Sequence, residues 1–176
     1  FIGGMVGSDG QLKDDRQQIA DVFADFYEQL YGFRVNSEDV DIAFDSNDLP
    51  PVTVEELQKQ LKSMKNRKSA DSRGLVAELL KHAGHSFLQV VADLFTEILG
   101  PSSEVPEHWK QTRLKVLFKK GDPQLAENYR PISIIPILYK LFSKVICERV
   151  SATLQSAQSI DQAGFRSGYA CDDHLF

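Results

Sequence analysis

Apolar residues recur at helical spacing through most of this chain and alternate in one stretch. Ile19, Val22, Phe23, Phe26 and Leu30 predict an amphipathic helix over residues 14–31, with Gly32 placed as a C-terminal glycine. Residues 33–51 are acidic and irregular and end in Pro50-Pro51, the pattern of a linker or long surface loop. Thr53 and Glu56 form a capping-box pair, which should start a helix buried through Leu57, Leu61 and Met64. A polar, basic loop follows at residues 65–74. Leu75, Val76, Leu79 and Leu80 then mark a short helix. Ser86 is placed to cap another, with Phe87, Val91, Leu94, Phe95 and Ile98 facing inward and Gly100-Pro101 ending it. Residues 112–119 alternate, with Leu114, Val116 and Phe118 on one side and Arg113, Lys115, Leu117 and Lys119 on the other. Gly121-Asp122-Pro123 breaks that strand, and residues 131–135 are placed to pair back. The longest helix is expected over 137–154, with Ile137, Leu138, Leu141, Phe142, Val145, Ile146, Val150 and Leu154 on its apolar stripe. The fold class is thus α+β, predominantly helical, with a small antiparallel β-hairpin.

Composition adds bounds. The 176 residues are 42% hydrophobic, enough for a packed core in one domain or one domain with an extension. The two cysteines, Cys147 and Cys171, fit no metal-ligand spacing and read as reduced thiols of an intracellular protein. No apolar run approaches the roughly 18 residues of a membrane span, so no membrane partner is expected. The N-terminal FIGGMVGSDG has neither an initiator methionine nor a signal-peptide pattern, and it reads as the interior of a longer polypeptide. The C-terminal CDDHLF likewise stops where a helix is expected to begin.

Charge is unevenly spread. The net of −5 argues against a generic nucleic-acid binder, but residues 1–58 carry 3 Lys/Arg against 13 Asp/Glu, a net of −10. Residues 59–149 carry 16 against 9, a net of +7, which puts any phosphate-contacting surface in the middle of the chain. Within it, Arg113, Lys115 and Lys119 line one face of roughly 20 Å of strand. If the strand folds back, Lys119 and Arg130 approach each other with no evident acid partner, and two such cations call for an anion. The plainer alternative is a hairpin kept soluble by its lysines.

The residues that carry these charges also carry a resemblance. GSDGQLKDDRQQIADVFADFYEQLYG, VTVEELQKQLKSMKNRKSADSRGLVAELLK, VPEHWKQTRLKVLFKKGDP, NYRPISIIPILYKLFSKVICERV and DQAGFRSG follow one another in the order found in the fingers and early palm of non-LTR (LINE-type) retrotransposon reverse transcriptases. The resemblance covers nearly the whole chain. It implies an extension helix and acidic linker over 1–52, a fingers subdomain over 53–135 and an incomplete palm over 136–176. It implies that Lys119 and Arg130 hold the triphosphate of an incoming dNTP, the positive charge that phosphoryl transfer needs. Arg113 and Lys115 would touch template or primer backbone. Gln162, Gly164, Phe165 and Arg166 of the Q-x-G-F-R motif would shape the template side, Gly164 by allowing close backbone approach and Phe165 there or in simple core packing. The implied partners are an RNA template, a DNA primer, dNTP and the rest of the palm and thumb. The implied location is the nucleus, with a cytoplasmic ribonucleoprotein stage. One departure stands out: where the family has K-S-P-G-P-D-G, this chain reads Lys68-Ser69-Ala70-Asp71-Ser72-Arg73-Gly74.

The family's reaction uses carboxylates that hold Mg²⁺. These ligands are expected beyond Phe176, so the chain alone is expected to bind no metal and to have no catalytic residues. Asp172 and Asp173 do not fit the Tyr/Phe-x-Asp-Asp pattern and suit a helix cap. His82 and His85 lack a third ligand, and Trp109 is expected in the core. Two other readings remain open at this point. One is a decayed or repurposed remnant acting as a non-enzymatic helical binding module, and the other is a related reverse transcriptase such as that of a group II intron.

Overall fold

The computed structural model describes residues 2–32, 49–100, 104–159 and 168. The acidic stretch 33–48, the Q-x-G-F-R residues and Cys171 to Asp173 therefore lie outside the described residues. The chain divides into two units, Phe1–Asn47 with Thr112–Ile134, and Asp48–Gln111 with Ile135–Phe176. The architecture is α+β and mainly helical, with two small antiparallel sheets.

In the first unit, β1 (Met5–Val6) pairs antiparallel with β2 (Leu12–Lys13). The hydrophobic pattern did not announce this pair, because two-residue strands show no periodicity. Its sequence signal was the turn segment Gly7-Ser8-Asp9-Gly10, where Gly10 sits at φ +75°. α1 (Arg16–Tyr31) starts at Asp15, whose carboxylate accepts the backbone N–H groups of Gln17 and Gln18. Gly32 does end the helix, but in a right-handed conformation (φ −73°). It is needed for space: a Cβ there would run into the Glu28 carbonyl oxygen. β3 (Arg113–Phe118) and β4 (Tyr129–Ile134) form the expected hairpin, with a 3₁₀ turn at Ala126–Asn128 between them. The core of the unit is Met5, Phe23, Tyr27, Ala126 and Tyr129, with Val116 packed against it. Leu30, placed on the buried stripe of α1 by its spacing, is exposed, and Tyr27 is buried instead.

The second unit holds α2 (Val54–Ser63), α3 (Ala77–Lys81), α4 (His85–Ile98), α5 (Glu107–Lys110) and α6 (Ile137–Ala157). The capping box is present: the Glu56 N–H donates to Thr53 Oγ1 (3.3 Å) and the Thr53 N–H to Glu56 Oε2 (2.9 Å). Glu56 also meets Arg149 of α6 in a two-pronged ion pair (2.7 and 2.8 Å), and Arg149 donates further to the Pro50 and Pro51 carbonyls. Leu57 and Leu61 of α2, Leu88, Val91 and Phe95 of α4, and Leu141, Phe142 and Val145 of α6 share one core. Trp109 is buried in its centre, edge-on to Phe95 with centroids 5.9 Å apart and 5.7 Å from Phe142. No helix among the described residues is long and apolar enough to cross a membrane.

Three local expectations need correction. α4 begins at His85 with Gly84 as its cap residue and without a side-chain cap, so Ser86 lies inside the helix. Phe87 and Leu79 are exposed, because the buried stripe of α4 starts one residue later, at Leu88, and α3 buries Ala77 and Leu80. The stripe of α6 divides: Ile137 to Val145 is buried, while Val150 and Leu154 are exposed. Leu141 is fully buried, so Leu141→Ala should cost about 2–5 kcal/mol of unfolding free energy. Leu154→Ala on the same stripe should change it by less than about 0.5 kcal/mol. Urea denaturation of both variants checks the contrast.

Candidate functional site

The basic face is a product of strand alternation working against a buried ring. Tyr129 opens β4 and is buried, edge-on to Phe23 with centroids 5.1 Å apart. Its hydroxyl donates to the Pro123 carbonyl (2.7 Å), and its own carbonyl accepts from the Tyr27 hydroxyl (3.2 Å). With Tyr129 turned inward, Arg130 must leave the hairpin on the opposite face. The register sets its neighbours. Leu117 pairs with Arg130 and Lys115 with Ile132, and the Lys119 N–H donates to the Asn128 carbonyl (2.9 Å). Lys115 and Lys119 therefore flank the residue opposite Arg130 and are its diagonal cross-strand neighbours on one face.

This face also carries Arg113 at its far end, opposite Ile134, and two exposed apolar residues, Leu117 and Ile132, at 53% and 44%. Lys115, Lys119 and Arg130 are exposed and enter no ion pair among the described residues. The expected approach of Lys119 and Arg130 is thus present as a same-face diagonal. The other face is less greasy than its alternation suggested. Val116 packs on the core, but Leu114 and Phe118 remain largely exposed because the helix covers only part of a two-stranded sheet. Gly121 makes the turn possible at φ +92°, where a Cβ would also stand 2.8 Å from the Asn128 side chain. Of the residues assigned to the template side, Gln162, Gly164, Phe165 and Arg166 lie outside the described residues. Among the described residues no three His, Cys, Asp or Glu side chains gather to hold a metal ion, and no step through a metal is assigned to them.

Sequence reasoning missed the residue that organises the second unit's basic loop. Asp71 is 6% exposed. Its Oδ1 accepts the backbone N–H groups of Arg73 and Leu75 (both 2.9 Å), and its Oδ2 accepts the N–H of Ile137 at the start of α6 (3.0 Å). The altered Lys68–Gly74 segment is therefore held in one conformation by an acid that the family pattern does not have at that position. A lone acid inside a run of cations was the available signal. Burial pushes the Asp71 carboxyl up, but the N–H donors of Ile137, Leu75 and Arg73 outweigh it and hold it below the usual range. The Arg149 hydrogen bond lowers Glu56 in the same direction, against its burial.

The chain matches no protein-family model. It is 27% identical to the transposon TX1 uncharacterized 149 kDa protein of Xenopus laevis over 98% of this chain and 14% of that protein. It is 26% identical to the probable RNA-directed DNA polymerase from transposon BS of Drosophila melanogaster, over 92% of this chain and 19% of the relative. It is 25% identical to the RNA-directed DNA polymerase from the Drosophila mobile element jockey, over 72% of this chain and 14% of the relative. The class of protein it is similar to is therefore that of mobile elements, RNA-directed DNA polymerases among them. More narrowly, the chain resembles the reverse transcriptases of non-LTR retrotransposons, as its motifs implied. It spans less than a fifth of the length of these relatives.

Asp71 and Glu56 both have folded values below their unfolded ones. Their stabilisation is complete above the unfolded carboxylate value near pH 4 and is lost as pH falls through the lowered folded values. Asp71→Asn should therefore flatten the fall in unfolding free energy between pH 6 and pH 3. Denaturant titrations at each pH measure this, and parallel curves for the two proteins would exclude Asp71 as a contributor.

Proposed function

We propose that this chain is the fingers and early palm of an RNA-directed DNA polymerase, and that the basic hairpin face grips phosphate. Lys119 and Arg130 hold the triphosphate of the incoming dNTP, while Lys115 and Arg113 meet the template–primer backbone. The observation that carries the reading is the shared face: Arg130 lies diagonal to both Lys115 and Lys119, and all three are exposed without an ion pair among the described residues. Cations held close together without acids attract an anion, and a planar guanidinium beside an ammonium suits the several oxygens of a polyphosphate. Positive charge fixed on the transferring phosphates is the main catalytic need in phosphoryl transfer. The exposed Leu117 and Ile132 beside the cations give the face an apolar component as well.

The homologues support the nucleic-acid context, since two of the proteins described above are named RNA-directed DNA polymerases.

In a complete polymerase that contains this segment, Lys119→Ala or Arg130→Ala should raise the KM for dNTP or lower kcat by about 10-fold or more, the loss expected for a charge-assisted hydrogen bond. The melting temperature should not move, because both side chains are solvent-exposed. A fall in melting temperature with unchanged steady-state kinetics would assign these residues to structure instead.

A further inference from the structure

The first unit also carries a surface of the opposite charge. A cleft of about 230 Å³ lies between α1, the end of β1 and the loop that joins β3 to β4. Its floor is apolar, with Val22, Phe26, Leu125 and Ala126, and its rim carries the carboxylates of Asp25 and Glu127. Local contacts hold its walls. The Val6 N–H donates to the Gln124 carbonyl (2.9 Å), which ties β1 to the joining loop, and Ala126 is buried in the core of the unit. Asp25 and Glu127 are exposed, and neither joins an ion pair among the described residues.

The charge along α1 does not serve the helix itself. From Gln17 to Tyr31 it has three acids, Asp21, Asp25 and Glu28, and no cation. They recur at i, i+4 and i+7 and so share one face, with Asp25 and Glu28 in the half of the helix nearer the negative end of its dipole. Like charges at that spacing destabilise a helix, and a cation from outside relieves them. The outer face of the hairpin has the reverse composition, with Lys115, Lys119 and Arg130 around Leu117 and Ile132, which are 53% and 44% exposed. An apolar floor rimmed by acids thus matches an apolar pair ringed by cations. α1 packs on the inner face of the hairpin through Phe23 and Tyr129, so the cleft and the outer face point apart, and one copy cannot fill its own cleft. We propose that the cleft takes the outer hairpin face of a second copy of this chain, with Leu117 and Ile132 on the apolar floor and Lys119 and Arg130 against Asp25 and Glu127.

Such a contact joins two different surfaces and is therefore head-to-tail. Each docked pair still offers one free cleft and one free hairpin, and assembly continues unless the rotation closes a ring. A face of two six-residue strands measures roughly 20 Å by 10 Å, which places the contact among small, transient interfaces. Charge matching across it makes it sensitive to salt. The inference needs only that the hairpin face be basic and partly apolar, and it stands apart from the phosphate reading of that face. A docked copy covers the same cations, so the two uses of the face exclude each other.

The test is sedimentation velocity of the full chain in a concentration series that reaches about 0.5 mM, at about 0.05 M and about 0.5 M NaCl. At the lower salt the mean mass should rise with concentration, and the association constant should fall about tenfold or more at the higher salt. Two charge-reversed variants are compared, Asp25→Lys with Glu127→Lys in the cleft and Lys119→Glu with Arg130→Glu on the hairpin. All four side chains are exposed, so both variants should fold, which far-UV circular dichroism checks. Each variant alone should stay monomeric. Their equimolar mixture should associate, because it contains one unaltered cleft and one unaltered hairpin face. The milder Asp25→Asn with Glu127→Gln keeps the shape of the rim and should weaken association about tenfold or more. A wild-type chain that stays monomeric throughout would overturn the inference. So would association that is equal at both salts or unchanged in the Asn/Gln variant, and so would a mixture of the two folded reversals that remains monomeric.

Discussion

A carboxylate that leaves water must find hydrogen-bond donors, and the second unit is arranged around that requirement at Asp71. The donors it finds are backbone N–H groups, two from its own loop and one from the first turn of α6. The α6 donor is one of those that a helix start leaves without an intrahelical partner. One side chain thus closes a loop and caps the longest helix of the structure. Glu56 acts in a parallel way at the start of α2, where it completes the capping box and holds Arg149. Both acids therefore fix where elements begin, and the apolar core of Leu57, Phe95, Trp109 and Leu141 supplies the burial that holds the elements together.

The first unit solves a different problem. A two-stranded hairpin is only marginally stable by itself, and it becomes a defined surface by laying one side on a helix. Tyr129 does this with its ring against Phe23 and its carbonyl accepting from the Tyr27 hydroxyl, while its own hydroxyl donates to Pro123 in the hairpin's connecting loop. Because side chains alternate along a strand, the same contact that buries Tyr129 turns Arg130 to solvent beside Lys115 and Lys119. The charge on the outer face is thus positioned by an apolar contact on the inner one.

The departure from the family's K-S-P-G-P-D-G turn gains a physical reading from these contacts. Proline restricts a backbone and glycine frees it, the two usual ways a sequence shapes a turn. Here neither is present in the middle of the segment, and Asp71 holds the loop by hydrogen bonds instead. Arg73, where the family pattern has an aspartate, is exposed and donates its backbone N–H to that same carboxylate.

Sequence alone determined most of the local structure. The capping box at Thr53, the alternation of Arg113–Phe118, the first half of the α6 stripe and the burial of Trp109 were legible because periodicity and capping are short-range properties of the chain. The resemblance to reverse transcriptases was legible too, since its motifs are ordered strings. What the sequence could not supply was decided by contacts distant in the chain. Phe87 and Leu30 have the right spacing to be buried yet are exposed, because none of the described residues covers that part of their helices. Met5 is fully buried in a hairpin too short to leave a pattern. Asp71 looked like one more charge in a polar loop until Ile137, 66 residues away, became its partner. Periodicity tells which face of an element is apolar. Only the tertiary structure decides which part of that face is covered and which polar group meets another, because both depend on elements brought together from distant parts of the chain.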